Sequence, residues 1–263
     1  SWAKINYASF ALDSQNNPYV FCQSQNYIRE ENAYVKKFDG IKWVSVGTPV
    51  VFIPNEDSAQ EYAFHCIAID RNDIPYVAYT HNGKISVKKF SGTEWIAIGS
   101  EQISTDNARY LKIQIDNNNV PYIVYSNHDY SDRITIKKFN GSSWESVGPE
   151  LFSAGAALYT DLKIDSNNVL YVSYKDEVNS GKATVQKFDG SSWQIVGTPG
   201  FSMTIPLPSG NGWSATAIYY VSLAIDPNNV PYISYPGYVQ KFNGSSWDYV
   251  GTGMIGENTV PIR

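Results

Sequence analysis

The chain has 263 residues, of which 43% are hydrophobic and 14% aromatic, enough apolar surface for one large all-β domain. The net charge of -5 is spread along the chain without a basic block, which argues against nucleic acid as a partner. No apolar run approaches the ~18 residues of a membrane-spanning helix, so membrane insertion is not expected.

The 20 Tyr residues, with Val, Ile and Thr, favour strands. A repeat then sets the fold. Ala11–Cys22 reads ALDSQNNPYVFC, and the same frame returns at Ala68–Tyr79, Gln114–Tyr125, Lys163–Tyr174 and Ala224–Tyr235. A second block follows each copy, first as KKFDGIKWVSVG and last as QKFNGSSWDYVG, with its Trp at 43, 95, 144, 193 and 247. The Trp-to-Trp intervals of 52, 49, 49 and 54 are blade lengths for a propeller.

In chain order, each repeat predicts four strands. Strand A ends at an Asp, as in Ser222–Asp226, and an Asn-rich turn leads into strand B at Pro-Tyr. Strand C ends at Lys-Phe. Asp-Gly or Asn-Gly is expected to form a two-residue hairpin with positive φ at both positions. Strand D carries the Trp and ends in Val-Gly or Ile-Gly. The expected fold is an all-β, five-bladed β-propeller of four antiparallel strands per blade, one domain over 1–263, with repeats near 7–47, 64–99, 110–148, 159–197 and 220–251. The start at Ser1, without Met, suggests a processed or excised piece of a larger protein.

Asp13, Asp70, Asp116, Asp165 and Asp226 could offer hard oxygen ligands to a cation. The competing reading, favoured by their identical placement in every blade, is a turn in which Asp accepts nearby backbone N–H groups. The five tryptophans, each with the Phe of strand C, are expected to pack between neighbouring sheets. Six residues before each turn Asp stands an aromatic: Tyr7, Phe64, Tyr110, Tyr159 and Tyr220. At ~3.3 Å per residue these lie about 20 Å from the turns, at the opposite rim of strand A. They are read either as inter-blade packing or as a ligand-binding mouth.

Two residues further on, the same side of strand A is expected to carry Ser9, Cys66, Lys112, Asp161 and Ser222. Only Asp161 is acidic there, and Lys112 or Lys163 could neutralise it. Glycoside hydrolysis needs a carboxylate pair, so an enzyme is not expected, although loop acids such as Asp57, Glu61 and Glu150 could contribute. Cys22 and Cys66 are read either as a disulfide joining the first two blades or as two buried thiols. Asn140 and Asn243 match the glycosylation sequon but are read as hairpin turns. No metal site or cofactor is expected.

The pattern I-D-x-N-N-x-P-Y-V-x-Y followed by V-x-K-F-D-G-x-x-W-x-x-V-G resembles repeats of secreted and surface-anchored bacterial propeller proteins. Five blades of this length are similar in architecture to tachylectin-2-like lectins. The resemblance implies the fold and an extracellular or cell-surface location.

Departures from the frame concentrate in the D-to-A connections Thr48–Tyr62, Ser100–Ala108, Pro149–Ala157 and Thr198–Ile218, on one face. The last is the longest and holds Phe201 and Trp213; Trp213 stands outside the repeat frame and is read either as an exposed recognition residue or as a ring that tucks the loop over the channel. The expectation is a monomeric recognition domain for a glycan or surface protein, contacted by Trp213 and the aromatic rim. A structural spacer is the alternative, and a glycan-active hydrolase the third reading.

Overall fold

The computed structural model describes residues 4–25, 31–53, 64–203, 218, 220–251 and 255, with backbone alone at 4–7, 23–25, 31 and 51–53. The chain is an all-β, five-bladed β-propeller. The first blade comprises β1 (Lys4–Leu12), β2 (Pro18–Gln25), β3 (Glu31–Phe38) and β4 (Trp43–Ser45), and β5 (Val51–Ile53) also pairs with β3. The second comprises β6 (His65–Ile69), β7 (Pro75–His81), β8 (Lys84–Phe90) and β9 (Trp95–Ala97). The third comprises β10 (Ala108–Ile115), β11 (Pro121–Asn127), β12 (Arg133–Phe139) and β13 (Trp144–Ser146). The fourth comprises β14 (Ala157–Ile164), β15 (Leu170–Asp176), β16 (Lys182–Phe188) and β17 (Trp193–Ile195). The fifth comprises β18 (Ser222–Ile225), β19 (Pro231–Tyr235), β20 (Tyr238–Phe242) and β21 (Trp247–Tyr249).

The chain divides into two compact units, 1–129 with 136–147, and 130–135 with 148–263. In the first, β6 packs against β1 on one side and β10 on the other; in the second, β14 packs on β18. Alternation along each strand sends one set of side chains to each neighbouring sheet. Phe21, Val35, Ile67, Val77 and Tyr79 fill the gap between the first two blades. Cys66, Ala68 and Ala78 face the other way, towards Leu111, Ile113 and Ile123 of the third. In the second unit Val185, Leu223, Ile233 and Trp247 share one core.

That alternation excludes the Cys22–Cys66 disulfide. Both thiols are free. Cys22 follows Phe21 and so turns away from the second blade, while Cys66 belongs to the core shared with the third and its thiol approaches the Ala78 carbonyl at 3.6 Å.

The A-to-B turns are built by the Asp. Oδ1 of Asp70 accepts the N–H groups of Asn72 and Ile74, both at 2.9 Å, and Asp13, Asp116, Asp165 and Asp226 repeat the pattern. The turn reading therefore accounts for Oδ1 of each of these five residues. The left-handed residue of the same turn reaches back to the previous blade. Asp73 accepts the Ser14 N–H at 2.7 Å, Asn119 that of Arg71 at 3.0 Å, and Asn229 that of Ser166 at 3.0 Å.

The C-to-D hairpins differ from expectation in one respect. Asp39 N–H bonds the Lys42 carbonyl, so the two central residues are Gly40 and Ile41, and only Gly40 has positive φ. The Asp stands at the corner, where Oδ1 accepts the N–H groups of Ile41 and Lys42, both at 2.9 Å. Asn140, Asp189 and Asn243 do the same, so the two sequon asparagines are turn residues.

Trp95, Trp144 and Trp247 donate their indole N–H to the carbonyls of Val46, Ile98 and Val196 in the preceding blade, at 3.0, 2.8 and 2.8 Å. Trp43 departs from this set and is 49% exposed.

Candidate ligand-binding faces

The aromatic rim is carried on irregular backbone. Strand pairing slips by one residue between Arg109 and Lys112 in β10 and between Leu158 and Asp161 in β14. The slip places Tyr110 at φ +53° and Tyr159 at φ +55°. These are left-handed conformations that a bulky residue adopts only at a cost, and a bulge of this kind re-aims a side chain. The bulge also breaks the two-residue count, so Lys112 and Asp161 do not continue the face of Tyr110 and Tyr159 as an unbroken strand would.

Of the five rim aromatics, Phe64 and Tyr110 meet, with ring centroids 5.4 Å apart. Tyr159 and Tyr220 are exposed, Tyr220 at 58%. The Tyr7 side chain, Trp213 and the loop acids Asp57 and Glu61 lie outside the described residues. Glu150 is exposed, as is Lys112.

The loops beside the rim are held by polar contacts. Asp129 accepts the Asn107 N–H at 3.0 Å, and Asp106 accepts from the Asn127 amide at 3.2 Å. Hydrogen bonds from Thr105 and Asn127 hold the Asp106 carboxyl below the usual range.

Asp161 is buried and occupied. One oxygen accepts the Leu223 N–H at 2.8 Å and the Ser222 hydroxyl at 3.3 Å, and the other lies 3.7 Å from Lys163 Nζ. It pins β14 to β18, as Ser9 pins β1 to β6 by accepting the Ile67 N–H at 3.1 Å. Among the described residues no cluster of three or more His, Cys, Asp or Glu is placed to hold a metal ion. No helix among them is long and apolar enough to cross a membrane.

Part of the D-to-A connection is scaffold. Phe152 stacks on Trp193 at 4.5 Å and Phe201 on Trp247 at 4.4 Å. The next residue in each case, Ser153 or Ser202, accepts a strand-C N–H. Phe201 thus packs against the fifth-blade Trp247. The sequence signal was available, because Ile103-Ser104, Phe152-Ser153 and Phe201-Ser202 each begin eight residues after a blade Trp.

The opposite rim is less featureless than its short turns suggest, for two cavities open beside the Asp turns. Sequence reasoning weighed the Asp and Asn that line them but passed over the lysines, although one signal, a Lys before the Phe of every strand C, was present.

No family model matches the chain, and no curated protein matches it in sequence. Solved structures match it in fold. A Dyadobacter fermentans protein of unknown function aligns with a TM-score of 0.58 at 9% identity, over 96% of this chain and 84% of that one. The fucose-specific lectin from Aleuria aurantia gives 0.56 at 14%, over 93% and 79%. The α-L-arabinanase of Penicillium chrysogenum, complexed with arabinobiose, gives 0.54 at 11%, over 94% and 81%. At these identities the likeness is one of fold.

Proposed function

We propose that the chain is a non-catalytic recognition module, displayed outside the cell, that binds a glycan through the aromatic rim on the D-to-A face. The observation that carries this reading is the pair of left-handed tyrosines on matching bulges. Two bulky residues kept at positive φ represent strain that the fold would shed were their placement unused. Exposed aromatic faces beside hydroxyl groups suit the apolar face and hydroxyls of a sugar ring. That structures of this fold include both a fucose-specific lectin and an arabinanase is consistent with a carbohydrate ligand.

A hydrolase is less well supported. Glycosidase chemistry needs two carboxylates flanking one bond, and Asp161 is engaged in holding β18. A glycan array followed by titration of the best ligand against wild type and Tyr159→Ala tests the reading. Loss of binding in the variant is expected. Hydrolysis of the ligand, or equal affinity in the variant, overturns it.

A further inference from the structure

The two cavities on the Asp-turn rim have the same construction, one inside each compact unit. The first, about 600 Å³, lies between the second and third blades. The second, about 500 Å³, lies between the fourth and fifth. In each, one wall is a cross-strand Tyr–Lys pair, Tyr76 with Lys89 or Tyr171 with Lys187. The other wall is the next blade's Tyr, Lys and Phe, which are Tyr122, Lys138 and Phe139 or Tyr232, Lys241 and Phe242. The Asp turn and the Asn-Gly hairpin close the rim.

The charges in these grooves are unequal. Each holds two lysines and one Asp, and the Asp Oδ1 is taken by two backbone N–H groups. Among the described residues the ammonium groups of Lys89, Lys187 and Lys241 have no hydrogen-bond or ion-pair partner, while Lys138 bonds the exposed Glu145 at 3.2 Å. The first blade shows what this lysine position accepts. Lys37 lies over the Tyr19 ring at 5.0 Å and takes a carboxylate oxygen of Asp13 at 3.0 Å. In the grooves Lys89 and Lys187 hold the same cross-strand pairing with a Tyr but make no such ion pair among the described residues.

We propose that the two grooves are matching, though not identical, binding sites for a saccharide bearing a carboxylate. The unpaired lysines take the carboxylate by charge-assisted hydrogen bonds. The Tyr and Phe rings supply flat apolar walls for the sugar's C–H face. These sites are on the rim opposite the one proposed above and stand independently of it.

The test is calorimetric titration of the intact chain with a defined oligogalacturonide. A neutral oligosaccharide of the same length, a poly-glutamate peptide and inorganic phosphate serve as comparison ligands. The oligogalacturonide is expected to bind at two or more sites, more weakly as salt is raised. Lys89→Ala and Lys187→Ala should each remove one site, and the double variant should lose affinity tenfold or more, with unchanged thermal unfolding. Tyr159→Ala should bind as wild type does. No binding of the oligogalacturonide at millimolar concentration, equal binding of the neutral sugar, poly-glutamate or phosphate, or unaltered titrations in the lysine variants would each overturn the assignment.

Discussion

The indole N–H of Trp144 donates to the carbonyl of Ile98 at 2.8 Å, joining the third blade to the second. Its ring packs on Phe139 with centroids 5.6 Å apart, within the core shared by the two blades. Trp144 is partly buried, and Trp144→Ala should cost up to about 3–5 kcal/mol in chemical denaturation, the range of Trp truncations. Trp144→Phe keeps a ring but leaves the Ile98 carbonyl without its donor, and should cost about 1–3 kcal/mol. Equal losses in the two variants would mean that the hydrogen bond, and not the packing, holds the blades.

Gly99, the residue after Ile98, sets the distance of that contact. Its φ is +76°, and a Cβ there would stand 2.8 Å from Trp144 Cδ1. Gly141, in the hairpin of the third blade, has φ +100° with open space around it. Gly99→Ala combines backbone strain with a clash, whereas Gly141→Ala carries strain alone. Gly99→Ala should be the more destabilising, by about 1–3 kcal/mol. Thermal and urea unfolding of the pair check the order.

Asp161 is read as a fastener between β14 and β18, and the two substitutions that remove its charge should differ. Asp161→Ala leaves the Leu223 N–H buried without an acceptor, at a cost of about 1–3 kcal/mol. Asp161→Asn retains an oxygen for that N–H and should cost less. If both variants are as stable as wild type, the carboxylate is free for another role, and the hydrolase reading regains ground.

Asp13 gives the fold a pH dependence of predictable sign. Burial pushes its carboxyl up, but the Asn17 side chain, Lys37 and the Asn17 N–H outweigh burial and bring the pKa down to about 2 from 3.8. A folded value below the unfolded one means that the stabilisation is complete above about pH 4 and is lost as pH falls through about 2. Urea midpoints of wild type should fall over this window, and those of Asp13→Asn should fall less. Parallel curves would show that Asp13 does not contribute.

The repeat made the blades legible, because Asp, Pro-Tyr, Lys-Phe and Trp recur at fixed offsets. The turn role of Asp70 and the inter-blade role of Trp144 followed from residue type and placement. Three features were less accessible. The bulges at Tyr110 and Tyr159 arise from pairing between strands, and nothing in either residue type announces a left-handed backbone. The side of the sheet on which Cys22 and Cys66 fall depends on alternation counted from the core, which a proximity argument between blades ignores. The grooves are made by two blades together, so Lys89 and Lys138 read as ordinary surface lysines until the neighbouring wall is in place.

The last prediction concerns the rim proposed to bind a glycan. Tyr159 has an exposed ring on backbone at φ +55°, so its side chain and its backbone can be tested apart. Tyr159→Gly removes the ring and accepts the left-handed backbone without strain. Tyr159→Ala removes the ring and keeps the strain. If Tyr159 serves the ligand, both variants should weaken glycan binding tenfold or more, about 1.4 kcal/mol. The Gly variant should nonetheless be at least as stable as the Ala variant. Trp213→Ala should likewise weaken binding while leaving unfolding unchanged, because Trp213 stands outside the repeat frame that builds the blades. Binding and unfolding measured on the same three proteins separate the two effects. A ligand whose affinity ignores all three substitutions, or one located on the Asp-turn rim alone, removes the D-to-A face from the recognition surface.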